Sequence, residues 1–158
     1  MESVRVEEIF DHAFCEVTKK LVNLELQKIT EEDAVQRQSF YEGCREEIET
    51  HGYMNAMIVC QFSDELYRYI IDTMNNGVTP PEEEIPLYLN EYVNIVCGHA
   101  VSSLNNTVGR ASRLSVPSFY EEGRQIEGQK MAQMKRVFSY RTTVGMLHVF
   151  MFYSLQSD

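Results

Sequence analysis

Glu91, Asn94 and Gly98 lie three and four residues apart within the stretch Asn90-Glu91-Tyr92-Val93-Asn94-Ile95-Val96-Cys97-Gly98-His99-Ala100. At helical spacing this sets a carboxylate and a carboxamide one turn apart on a single ridge, with a glycine a turn further along. Such a set suits positioning chemistry. The carboxylate offers a negative charge to a cation, while the carboxamide both donates and accepts hydrogen bonds and stays neutral at any working pH. A glycine lets another surface come close to the helix, or simply relieves packing. The plain alternative is that an exposed Glu and Asn form an ordinary solvated face.

Other chemistries find little footing. Cys15, Cys44, Cys60 and Cys97 are far apart with no Cys-x-x-Cys pair, which reads as free thiols in a reducing cytoplasm rather than a disulfide framework or zinc site. His12, His51, His99 and His148 show no metal-ligand spacing, and His99 and His148 read as structural. No Gly-rich phosphate loop, Gly-x-Ser-x-Gly elbow or His-Glu-x-x-His motif occurs. An enzyme built on this chain does not use one of the common self-contained active sites, and no metal is expected.

The ridge needs a helix to carry it. With Glu91 as zero and roughly 100° per residue, Asn94 and Gly98 fall within about 60°, flanked by Leu87, Val101 and Ser102. Ile85, Leu89, Tyr92, Val93, Val96, Ala100 and Leu104 form an apolar stripe on the other side. Pro80-Pro81-Glu82-Glu83-Glu84 is a start signal, and the helix is expected to end near Asn105-Asn106, before Gly109.

Around it, Val6 to Leu24 repeats at helical spacing and predicts a first helix over roughly residues 4–25. Residues 25–34 read as a connection, 35–42 as a strand, 45–49 as an acidic turn, and 53–62 as a central strand. Ser63-Asp64-Glu65 caps a helix that Asn75-Asn76-Gly77 closes. Leu114 to Pro117 is a short strand-like piece, 120–131 a loop or bent hairpin, and 134–142 and 145–155 the last strands. The run from His148 to Tyr153 is too hydrophobic for a strand with one open face.

The 158 residues suit one domain over 1–158, with 44% hydrophobic and 24% charged residues, as in ordinary globular proteins. A net charge of −10 without a basic patch argues against nucleic acid and anionic membrane as partners. No apolar run suits a membrane span, and the acidic stretch Met1 to Glu8 is not a secretory signal in any usual form; a cytoplasmic location is expected. The element order predicts an α+β fold: an antiparallel sheet with helices packed on one face and a degenerate internal repeat.

Glu91-x-x-Asn94, with twenty-two residues between Asn94 and Pro117, resembles the signature of the CheC/CheX/FliY chemotaxis phosphatases, Asp/Ser-x3-Glu-x2-Asn-x22-Pro. Leu87 departs from the pattern, standing where Asp or Ser is usual. The resemblance covers most of the chain and is closer to CheX, whose members carry one signature, on a later helix. In the first helix, Glu16-x-x-Lys19 stands at what reads as the equivalent place, with lysine for asparagine, so a second site looks dead.

The resemblance implies hydrolysis of the aspartyl-phosphate on a CheY-type response-regulator receiver, in two-component signalling. Asn94 would orient the attacking water, and Glu91 would pair with the receiver's active-site lysine. Leu87, Gly98, Val101 and Ser102 would line the docking face, and Pro117 would set shape. The chain would need no cofactor of its own, because the receiver brings its Mg²⁺. A homodimer through the C-terminal strands is expected. The other reading is a non-catalytic interaction module that keeps the fold and binds a receiver or another signalling protein; Leu87 favours it.

Overall fold

The structure, a computed structural model, describes residues 2–30, 43–121 and 134–156. Helix α1 (Glu2–Val22) leads into a short strand β1 (Gln27–Ile29), followed by β2 (Cys44–Gly52) and β3 (Met54–Phe62). Helix α2 (Asp64–Met74) and a single 3-10 turn (Glu82–Glu84) precede the long helix α3 (Ile85–Val108). The chain closes with β4 (Ser112–Leu114), β5 (Ser118–Tyr120), β6 (Met134–Thr142) and β7 (Gly145–Leu155).

All pairings are antiparallel, in the order β1-β6-β7-β3-β2, with β4 and β5 end to end along the outer edge of β2. The order is palindromic. Each of α1 and α3 is followed by a short strand that pairs with the first long strand of the other half: β1 with β6, β4 with β2. The two long hairpins, β2–β3 and β6–β7, meet at the centre through β3 and β7, in register from Met54↔Leu155 to Phe62↔Leu147. This is the expected α+β architecture with its internal repeat.

Strand alternation sorts the side chains. Ile58, Cys60 and Phe62 of β3 and Leu147, Val149, Met151 and Tyr153 of β7 join Phe10, Phe14, Leu66, Ile70, Tyr92 and Val96 of the helices in one buried cluster. On the opposite face Val59, Gln61, Met146, His148 and Phe152 are buried too. β7 is therefore covered on both sides, as its near-continuous apolar run requires.

Several local expectations are corrected. Arg45 to Glu49 is not a turn: it is the middle of β2, where Cys44, Glu46, Ile48 and Thr50 alternate inward. Charge at Glu46 hid that alternation. The stretch 25–34 contains β1, too short to register as periodicity. Strand material flanks 115–117 rather than filling it. The strand expected over 35–42 and most of the loop over 120–131 lie outside the described residues.

Candidate functional site

Helix α3 is positioned from three sides. Its core face buries Leu89, Tyr92, Val93, Val96, Cys97, Ala100, Val101 and Leu104. Each large apolar side chain so removed from water contributes about 1.5–3 kcal/mol, enough to fix the helix on the sheet. Tyr92 packs edge-on against Phe62 of β3, ring centroids 5.9 Å apart, and its hydroxyl lies 2.7 Å from Thr18 Oγ1 of α1. At the helix start, Tyr88 donates its hydroxyl proton to Asn75 Oδ1 at 2.8 Å, and Asn75 Nδ2 donates to the Val78 carbonyl. At the end, Gly109 (φ +70°) forms the left-handed cap, its N–H bonding to the Asn105 carbonyl. Asn105 then clamps β4, donating to the Ser112 carbonyl and accepting from the Ser112 N–H.

Against that fixed body the ridge is free. Glu91, Asn94 and Ser102 are exposed, and Gly98 is half-buried. Among the described residues neither Glu91 nor Asn94 makes a side-chain hydrogen bond or ion pair within the chain. Three residues of helix separate the two side chains by about 4.5 Å along the axis. A single small pocket on a partner could take both.

Leu87, one turn before Glu91, is 65% exposed. Val101 departs from the expected ridge: it is only 5% exposed and belongs to the core cluster. Its side chain is not offered to a partner. Ile85, expected in the stripe, is half-buried at the helix start.

The β4–β5 arm borders the ridge. Among the described residues, a Cβ placed on Gly98 would meet only Leu114 Cδ1, at 3.9 Å, which is ordinary van der Waals contact. Nothing among the described residues therefore requires glycine there. Between the two short strands, Ser115 is tied to Glu49 by two hydrogen bonds: its N–H donates to the Glu49 carbonyl at 2.8 Å, and its Oγ accepts from the Glu49 N–H at 2.9 Å. Pro117 is half-buried just after this tie and Val116 is 83% exposed. Pro117 is found by spacing in the sequence, but the approach of Leu114 to Gly98 is not, since strand pairing brings it beside α3.

In α1, Glu16 is engaged by Lys20 at 3.1 Å and His12 at 2.6 Å, and the Lys20 contact holds its carboxyl below the usual range. Its place in the repeat also differs from the expectation. Counted back from the left-handed caps Asn23 and Gly109, the residues in register with Glu91 and Asn94 are Arg5 and Glu8, not Glu16 and Lys19. Neither pair supplies Glu-x-x-Asn.

Among the described residues, no three His, Cys, Asp or Glu side chains are gathered to hold a metal, and no helix is long and apolar enough to cross a membrane.

The family profile described as "Chemotaxis phosphatase CheX" matches residues 47–139. The fold is similar to the chemotaxis protein CheX from Vibrio vulnificus, with 18% identity, 94% of this chain and 96% of that chain covered, and a TM-score of 0.79. It is similar also to CheX from Desulfovibrio desulfuricans, with 14% identity, coverage of 95% and 99%, and a TM-score of 0.74. A third likeness is to the CheX-CheY-BeF3-Mg²⁺ complex from Borrelia burgdorferi, with 16% identity, coverage of 92% and 96%, and a TM-score of 0.74. No curated protein matches the sequence. The matched profile takes in β3, α2, all of α3 with its ridge, the β4–β5 arm and part of β6; the chain belongs to the CheX family of chemotaxis phosphatases.

Proposed function

We propose that this protein docks onto a phosphorylated CheY-type receiver in the cytoplasm and hydrolyses its aspartyl-phosphate. The observation that carries the reading is the pair Glu91 and Asn94, unengaged and exposed one turn apart on a helix otherwise fixed by packing. An acyl phosphate is already reactive; water attacks phosphorus, the aspartate carboxylate departs, and inorganic phosphate is released. What a partner can add is position. Asn94 holds the water, accepting a hydrogen bond from it at Oδ1 and donating one from Nδ2 to orient it. Glu91 pairs with the receiver's lysine and fixes register. Mg²⁺ belongs to the receiver, and this chain adds no cofactor.

The solved Borrelia burgdorferi complex pairs a CheX with CheY, and its fold likeness to this chain makes the same kind of partner the natural one to test. Gly98 and Ser102 line the contact beside the pair. A dimer forms through the C-terminal strands: among the described residues β1 covers only Ser139–Arg141 of the outer edge of β6.

The test is the decay of an acetyl-phosphate-charged receiver, with Mg²⁺, in the presence and absence of the protein. Accelerated release of phosphate supports hydrolysis. Leu87, exposed where the family pattern has Asp or Ser, favours a second reading, a receiver-binding module without catalysis. Retention of the phospho-receiver with unchanged decay supports that reading instead.

A further inference from the structure

Glu46 is the one acidic residue that the fold hides completely among the described residues. It is 0% exposed, and neither carboxyl oxygen has a hydrogen-bond partner. It stands on the helix-facing side of β2, directly across from Cys60 of β3 and Phe119 of β5. Its carboxyl is close enough to Cys97 of α3 to add to the effect of burial, which pushes that thiol up to about 12. Burial raises the Cys60 and Cys44 thiols as well, and Glu46 adds to both. The groups facing it are therefore Cys44 from its own strand, Cys60 from β3, Phe119 from β5 and Cys97 from α3. None is a cation. Burial alone pushes the Glu46 carboxyl up to about 9.

We propose that Glu46 is a proton-operated latch beneath α3, neutral while the helix lies on β2 and ionised when that packing opens. A neutral carboxylic acid tolerates an apolar gap at modest cost, whereas an unpaired carboxylate does not. Opening lets water in and returns the group to the ordinary glutamate value of about 4.3. Between that value and about 9 the closed form binds one proton more than the open form, so opening grows with pH, about tenfold per pH unit, and levels off above. Cys97 neighbours Gly98 in sequence, so the same motion carries the Glu91–Asn94 ridge. The hold on that ridge weakens as pH rises.

Hydrogen exchange tests this without any receiver, so the outcome is separate from that of the phosphatase reading. Exchange over residues 93–101 is compared in the wild type and Glu46→Gln, which keeps shape but never charges, at pH 6, 7 and 8. Taking the ratio at each pH cancels the intrinsic pH dependence of exchange. The latch predicts a ratio that climbs about tenfold per pH unit in α3 and stays level in β7. A level ratio in α3 overturns it, and so does an equal climb in β7, which marks global unfolding. Glu46→Met provides the same comparison if the Gln variant does not fold. Direct titration of the wild-type Glu46 carboxyl by NMR near 4.5 also overturns the proposal.

Discussion

The hydroxyls of Tyr92 and Thr18 meet at 2.7 Å inside the protein, the one from α3 and the other from α1. Both residues are 0% exposed, so neither hydroxyl has water to fall back on. Tyr92→Phe leaves Thr18 Oγ1 unsatisfied and is expected to cost about 1–3 kcal/mol. Adding Thr18→Val removes both polar partners and should recover part of that loss. Urea unfolding of the single and double variants measures the coupling; strictly additive losses would contradict the pairing.

Gly98 separates internal packing from docking. In mid-helix a glycine costs roughly 0.5–1 kcal/mol relative to alanine, and an added Cβ has room beside Leu114. Gly98→Ala should therefore stabilise the free protein by about that amount while weakening receiver affinity several-fold. Thermal unfolding and a binding titration report the two effects. A stabilised variant with unchanged affinity would take Gly98 out of the contact.

His148 gives the fold an acid-side sensitivity. It is 2% exposed, its Nδ1 lies 2.8 Å from Ser139 Oγ, and burial pushes the imidazole down to about 4. In the unfolded chain it titrates near 6.5. Between those values the unfolded state binds more protons, so this contribution is present above about pH 6.5 and is lost as pH falls through 4. The loss is on the order of 3 kcal/mol. Urea midpoints from pH 7 to pH 4 should drop more steeply for the wild type than for His148→Gln; parallel curves would contradict it.

The long periodic elements were legible because burial writes itself into spacing. The stripe from Leu89 to Leu104 and the runs that became β6 and β7 have the period of their structures, and the last two strands match in their bounds. β2 was not legible: its inward positions include Glu46, a charge where alternation needs an apolar residue. β1, β4 and β5 are three residues each, shorter than any period, and exist because β6 and β2 offer them an edge. For the candidate site, the roles proposed for Glu91 and Asn94 come from the family resemblance, while their exposure on one ridge was legible from helical spacing. The approach of Leu114 to Gly98 was not, since it depends on how β4 docks on β2. Val101 was misplaced because a wheel does not tell how far the packed face extends round α3, and here it takes Val101 in.

The central claim rests on Asn94, and one substitution addresses it most directly. The side chain is exposed and unengaged, so Asn94→Ala should leave the fold and receiver binding nearly intact. Loss of a positioned transition-state contact should nevertheless lower turnover about 10²-fold or more. Phosphate release from an acetyl-phosphate-charged receiver, measured at saturating phosphatase with affinity determined in parallel, gives the answer. A rate reduced about 10²-fold with affinity held is the predicted result. An unchanged rate would contradict the account.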